Sequence, residues 1–443
     1  MTNTGNERRL TMGQLFAFFI PLGLSASLVT ISHVIINSTL ARSADPEIII
    51  ASYAIGLSML GIIERPAILL RQTCSALVRD RTSFKAMTTV AVCLLIGMFG
   101  AGLLISYTPV GRLLFLRLFG VDESMLLAII HVYRILMFVS IFSGIRCLYH
   151  GIIISNMRTK WLTIGMAVRL AAMYAVSMAY IHLFGVESGQ VGAVIFLVGM
   201  VIEAALSYWE GSKLAKTLPL KKAGHDVEKP GQIFKFYRPL LYSSFIAVMI
   251  GPSINAMLGK TADIELSIAS FAIAASLAQL VQSFFSYMHQ IVLNFYRKDA
   301  ALAVRFVTLC AFVPTILIGL LAYTPAGPWF MEHVMGVNER LMTASLHTLR
   351  VFMLMTLLFP WLDFCNGLIM LRGQTKVTLL SQTANVTATV ATLVLCVWST
   401  PGWNGMIGAL AQSIGIAAEL AVVAFAIRSA SAAAVGRGTG AAL

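Results

Sequence analysis

Charge is scarce in this chain. Only 12% of its 443 residues are Asp, Glu, Lys or Arg, and 58% are hydrophobic. A soluble domain carries about twice that charge, so the composition excludes a water-soluble globular class; mean hydropathy is +0.83. Cysteine is sparse as well. The six (Cys74, Cys93, Cys147, Cys310, Cys365 and Cys396) lie in or beside apolar stretches without CxxC spacing, which argues against a disulfide framework or a metal site. Alternation of apolar and polar residues at strand length is missing too. Lipid offers no partner for unpaired backbone groups, so the apolar stretches must be helices. No cleavable leader is expected: Arg8-Arg9 precedes a span too long for a signal peptide, and no small-residue cleavage site follows.

What the chain does have is repetition. Residues from about 14 to 210 match those from about 232 to 426 at a nearly fixed offset. Pro21-Leu22, Ser25, Asn37 and Leu40 recur 218 positions later as Pro239-Leu240, Ser243, Asn255 and Leu258. After a two-residue slip the offset is 216. Tyr107-Thr108-Pro109 becomes Tyr323-Thr324-Pro325, Arg134 becomes Arg350, and Glu203 becomes Glu419. Duplication of an apolar chain is the mark of a two-repeat transporter. Twelve stretches can cross a hydrocarbon layer of about 30 Å, six in each repeat. An even number of crossings per repeat gives both halves the same orientation. The expected fold is all-α and polytopic: twelve transmembrane helices as two six-helix repeats related by a pseudo-twofold axis along the membrane normal.

The net charge of +13 raises a nucleic-acid reading, which its distribution opposes. Of 32 Lys and Arg residues, 21 fall on the side of the termini, five on the other side and six inside helices. The opposite loops carry acids such as Asp45, Asp122, Glu187, Asp263 and Glu339. This positive-inside asymmetry places both termini and the central linker in the cytoplasm, in a multi-pass protein of the inner (plasma) membrane, with no nucleic-acid partner. The expected divisions are a bundle over 1–212, a basic linker over 213–233, a second bundle over 234–428 and a disordered Ala-rich tail over 429–443. The linker reads as a tether. Two matched segments, Gly111–Gly120 and Pro328–Gly336, read as short interfacial helices on the outer side.

Two six-helix repeats, each opening on a long Pro-Leu-containing helix and joined by a basic loop, resemble the multidrug/oligosaccharidyl-lipid/polysaccharide (MOP) exporter superfamily. That superfamily includes the MATE exporters and the lipid flippases. Local strings are most similar to its progressive-ankylosis (ANK) branch: Ala51-Ser52-Tyr53 with Pro66 following, Arg79-Asp80-Arg81-Thr82, Val121-Asp122-Glu123-Ser124, and Gly405 to Glu419. The resemblance implies a MATE-like, alternating-access transporter with no enzyme chemistry, and for the ANK branch an anionic cargo: pyrophosphate, nucleotide or carboxylate. MATE exporters exchange cationic drugs for protons or sodium through acids in the first or seventh helix. This chain departs from that pattern, with His33 and Asn37 in its first helix and Asn255 in its seventh, and no acid in either.

An ionisable group at the bilayer centre costs about 2.5–3.5 kcal/mol on insertion scales, so each needs a reason. The basic set is Arg65, Arg71, Arg134, Arg146, Arg169 and Arg350; the acidic set is Glu64, Glu203, Asp363 and Glu419. The surplus is positive, and arginine's planar fork suits phosphate or carboxylate. Duplicated charges read as structural pairs, Arg134 with Glu203 and Arg350 with Glu419. Unmatched ones read as a substrate site: Arg65, Arg146 and Arg169, with His150 one turn from Arg146 and the deep polar residues Asn37 and Asn255. In the repeat Arg146 faces Leu362, Arg169 faces Asn385, and Asp363 faces Cys147. Glu64 and Asp363 are the candidates for coupling to H+ or Na+; no other cofactor and no catalytic residue is expected. The reading is a monomeric exporter of a small anionic solute. A flippase for a diphosphate-linked lipid or oligosaccharide and a MATE-like cation antiporter stand as alternatives.

Overall fold

The computed structural model describes residues 10–40, 42–43, 46–118, 123–248, 250–333 and 339–438. Every element among them is helical. The first half runs α1 (Met12–Leu40), α2 (Pro46–Ile63), α3 (Arg65–Leu77), α4 (Arg81–Tyr107), α5 (Pro109–Leu118), α6 (Glu123–Ser155), α7 (Lys160–Ala179) and α8 (Gln190–Thr217). The second runs α9 (Pro230–Val248), α10 (Ile250–Leu258), α11 (Ile264–Phe284), α12 (Met288–Phe295), α13 (Ala300–Tyr323), α14 (Ala326–His333), α15 (Glu339–Leu371), α16 (Lys376–Ser399) and α17 (Gly405–Gly438). Among the described residues eleven helical spans, with α9–α10 and α11–α12 each counted as one, are long and apolar enough to cross a membrane, and the bent pair α2–α3 makes twelve. The helices are those of a multi-pass membrane protein, and the duplication is visible element by element: α6 and α15 are both 33 residues long.

Proline and glycine place the breaks. At the α2–α3 junction the axis turns by 43°. Pro66 sits in the first turn of α3, where its missing N–H costs nothing, with Glu64 as the N-cap residue. The turns into α5 and α14 demand glycine at matched positions. A Cβ on Gly111 would lie 1.9 Å from the Ile105 carbonyl oxygen, and one on Gly327 would lie 1.8 Å from that of Leu321. These short helices cover most of the two expected interfacial segments; residues 119–120 and 334–336 of those segments lie outside the described residues.

The chain forms two compact units. One is Leu24–Phe245; the other joins the residues up to Gly23 to Ile246–Leu443. The repeat boundary and the packing boundary therefore differ: the first half of α1 packs with the second repeat, and most of α9 packs with the first. Within the other unit Phe16 and Phe19 meet the Phe306 ring edge-on, at 4.9 and 5.5 Å between centroids. Each unit has its own core. Ile36, Leu40, Tyr53, Ile129, Leu136 and Ile195 are central in Leu24–Phe245. Ile254, Leu258, Phe271, Phe352, Ile407 and Ala411 are central in the other.

The stretch read as a tether is partly docked on the protein itself. Asp80 caps α4 through the Ser83 N–H at 2.7 Å, with Ser83 Oγ returning the contact to the cap backbone. Next to this cap the Arg81 N–H donates to the Pro219 carbonyl at 2.9 Å and its Nε to Leu218 O at 2.9 Å. Thr82 Oγ1 donates to Leu220 O at 3.0 Å, and the Lys222 N–H reaches Asp80 Oδ2 at 3.1 Å. A loop that satisfies its backbone on a helix start is held in place. At the other end, α17 continues to Gly438 rather than stopping at 428, as the helix propensity of its alanines favours. Residues 439–443 lie outside the described residues.

Candidate functional site

Glu203 is the centre of a buried cluster in the Leu24–Phe245 unit. It projects from the middle of α8 and is 1% exposed. Arg169 of α7, also 1% exposed, donates from Nη1 to Glu203 Oε2 at 2.7 Å. Arg146 of α6 donates from its own Nη1 to the same oxygen at 3.1 Å. His150, one turn further along α6, places Nε2 3.9 Å from Oε1, beyond hydrogen-bond length. Glycine permits the approach: a Cβ on Gly199, one turn before Glu203, would lie 2.6 Å from Met173 Sδ and 3.1 Å from Arg169 Cγ. The Arg169 guanidinium also lies over the Phe196 ring, 5.1 Å from its centroid.

The cluster extends to the α2–α3 bend. Arg146 Nη2 donates to Ser143 Oγ at 3.4 Å, and Ser143 Oγ donates to Glu64 Oε1. Glu64, Ser143, Arg146, Glu203 and Arg169 thus form one line from the α2–α3 junction through α6, α8 and α7. Several of its donors stay unspent: the Nε atoms of Arg146 and Arg169, and Nη2 of Arg169, are buried without a protein acceptor. The Nε of Arg65 is also buried without one, next to the bend but outside this line of bonds.

This geometry corrects the expected charge pairs. Arg134 does not reach Glu203. Its Nε donates to the Ser106 carbonyl at 3.3 Å in the last turn of α4, and its guanidinium lies 4.8 Å from the Tyr107 ring centroid. Arg350 repeats this arrangement on Ala322 O at 3.3 Å and the Tyr323 ring at 4.8 Å. The twelve-residue separation of Arg134 and Arg146 spans about 18 Å of helix, so only one of them can sit level with Glu203. The duplicated arginines instead bind helix C-termini, where unpaired carbonyls and the dipole favour a cation. Arg146, read from the sequence as a substrate-site residue, has a protein partner in Glu203.

Glu419, the repeat partner of Glu203, has no arginine. It is 2% exposed. Asn385 Nδ2 of α16 donates to its Oε2 at 2.7 Å and Gln382 Nε2 donates to its Oε1, with the Asn366 side chain of α15 beside them. At an offset of 216, Asn385 stands where Arg169 stands and Asn366 where His150 stands. Among the described residues no salt bridge reaches Glu419. Asp363, the other expected acid of this unit, accepts from the His289 backbone N–H at 3.0 Å and faces His289 Nδ1 at 3.0 Å. Asn37 and Asn255 are exposed at matched positions, and neither joins a buried cluster.

Sequence reasoning found the four intramembrane acids and the two central arginines but not their neighbours. His289, Ser143 and Gln382 carry no signal in composition or spacing. Asn366 and Asn385 do carry one, the 216-residue offset from His150 and Arg169. Among the described residues there is no group of three or more His, Cys, Asp or Glu side chains able to hold a metal.

Solved structures share this fold. A MOP superfamily transporter from Pyrococcus furiosus, for which a reversed polarity of the binding pocket is said to suggest a different function, superposes with a TM-score of 0.74 at 15% identity, over 95% of this chain and 96% of that one. A MATE protein in complex with MaL6 superposes at 0.75 with 16% identity and the same coverage. An outward-facing multidrug resistance MATE family transporter of the MOP superfamily superposes at 0.74 with 15% identity. The architecture is thus the MATE-like one. No protein-family model matches the chain, and no curated protein does.

Proposed function

We propose that this protein is an alternating-access transporter that exports a small anionic solute, a phosphate- or carboxylate-bearing molecule, across the plasma membrane, with both termini in the cytoplasm. The fold supports the transporter class. One observation carries the choice of cargo: the buried Arg146–Arg169 pair shares a single carboxylate oxygen and keeps three guanidinium nitrogens without a protein acceptor. Buried donors without acceptors are costly. An anion entering beside Glu203 would take those donors, and guanidinium forks bind phosphate and carboxylate in a bidentate way. Arg146 is the accessible edge of the pair, its side chain 13% exposed against 1% for Arg169.

The test is counterflow in proteoliposomes, with radiolabelled pyrophosphate, a nucleotide and a tricarboxylate as anionic probes and ethidium as the cationic one. Saturable exchange of an anion is expected, with ethidium excluded. Arg146→Ala leaves Glu203 its 2.7 Å contact with Arg169, so the protein should be made at normal yield. Its transport should fall about tenfold to a hundredfold, the worth of one charge-assisted hydrogen bond of about 1.5–3 kcal/mol. Arg146→Lys should recover part of the loss, keeping charge but not the fork. Exchange of ethidium alone would replace this reading with the cation-antiporter one, and exchange of a diphosphate-linked lipid alone with the flippase one.

A further inference from the structure

The duplication offers an internal comparison. Two buried glutamates stand at equivalent places in the two repeats, and their surroundings differ by a consistent exchange. Glu203 has two arginines within 3.1 Å. Glu419 has the amide N–H groups of Gln382 and Asn385 on its two oxygens, Asn366 beside it and, among the described residues, no salt-bridge partner. Two guanidinium ions lock the first as a carboxylate. The amides satisfy the second as hydrogen-bond donors but do not cancel its charge, and an uncompensated charge in an apolar interior carries a large desolvation cost.

We infer that Glu419 is the proton-accepting carboxyl of this protein, taking up a proton from water in one stage of the transport cycle and releasing it in another, while Glu203 stays ionised throughout. The step balances without a further reactant: a carboxylate and a proton give a carboxylic acid. The surroundings are equipped for both forms. In the ionised form the amide N–H groups of Gln382 and Asn385 point at its two oxygens. In the protonated form the new O–H needs an acceptor. Two amide oxygens beside it, Gln382 Oε1 and Asn366 Oδ1, are buried without any partner. Turning one amide about its last bond exchanges N–H for C=O and supplies the acceptor, with no movement of the helices.

Charged groups on the elements around α17 are engaged elsewhere. Asp363 of α15 pairs with His289. Asp263, capping α11, pairs with Arg340 at 2.5 Å at the outer end. Arg350 lies against Tyr323, and Arg372 donates to Ile427 O beyond the other end of α15. His347, Glu339 and Lys376 are exposed. The thiols of Cys365 and Cys396 are the remaining titratable groups on α15 and α16.

This inference deepens the transport reading, yet its test needs no substrate. Full-length protein in phosphatidylcholine nanodiscs is titrated from alkaline to mildly acidic pH and followed by difference infrared spectroscopy, in sodium and in choline buffer. One carboxylic-acid C=O band should grow on acidification in both buffers, sensitive to deuterium exchange. It should vanish in Glu419→Gln and persist in Glu64→Gln. Should Glu419→Gln fold poorly, Asn385→Leu serves instead: losing one donor to the ionised form should displace the transition to higher pH. Absence of the band in the wild type overturns the inference, as does its persistence in Glu419→Gln or a response to sodium with none to pH. If the band behaves as expected while proteoliposomes move no anion, the cargo reading fails and the proton site stands.

Discussion

A charged side chain inside this fold is defined by what lies around the helix from it, more than by depth. Arg134 and Arg146 share α6, yet one binds the end of α4 and the other a buried carboxylate. Their consequences should differ. Removing Arg169 leaves Glu203 with Arg146 alone on its buried oxygen and opens a space beside Phe196. Arg169 is fully buried where Arg146 is partly accessible, so Arg169→Ala should cost about 2–5 kcal/mol through the emptied core site, and appear as low yield and early thermal unfolding in detergent. Arg134→Ala removes one bond to a helix end and one aromatic contact, a loss of about 1 kcal/mol, and should leave yield near normal. Equal losses for the two variants would contradict the assigned roles. The acids and arginines were legible in the sequence because charge is rare there. Their partners were not, because a repeat offset gives position along a helix and leaves rotation about its axis undetermined.

At the scale of elements the apolar spans were the most readable feature, and the docked linker the least. Asp80 shows why. Its spacing to Ser83 is a helix-start pattern, but nothing local foretells that Lys222 will bond the same carboxylate. Burial of Asp80 works against ionisation; the Ser83 bonds and the Lys222 N–H outweigh it and hold the carboxyl below its ordinary value. A lowered folded value means that the ionised cap stabilises the fold at neutral pH. That contribution starts to fade below the unfolded value, about 3.9 for aspartate, and is lost as pH falls through the folded one. Asp80→Ala should destabilise the start of α4 by about 0.5–2 kcal/mol and free residues 218–222. Limited proteolysis at Lys221 and Lys222 should then be faster at neutral pH, and the difference from wild type should shrink in strong acid. Unchanged cleavage would show that the linker is held by other contacts.

For the whole molecule, the duplication carried most of the inference. The matched order of elements in both repeats follows from one ancestral pattern of apolar spans, kinks and glycine turns, and hydropathy reads all three. Orientation rests on the basic asymmetry of the loops. In a Cys93→Ser background, since Cys93 is exposed, Ala223→Cys should react with an impermeant maleimide only in inverted vesicles. Gly402→Cys, with open space around its Cβ position, should react in intact cells. The opposite labelling would reverse the topology.

The packing boundary was not legible, because periodicity says which residues share a repeat and nothing about which repeat they pack with. It has a consequence for how such a chain could be divided. The compact units meet at Gly23 and Phe245, each inside the opening helix of its repeat. A cut in the linker, at the genetic seam of the duplication, would give one fragment without α9 and another without the first half of α1. Each fragment would then hold a piece belonging to the other's core and be missing a piece of its own. The sequence divides at the linker, and the packing divides inside the opening helix of each repeat.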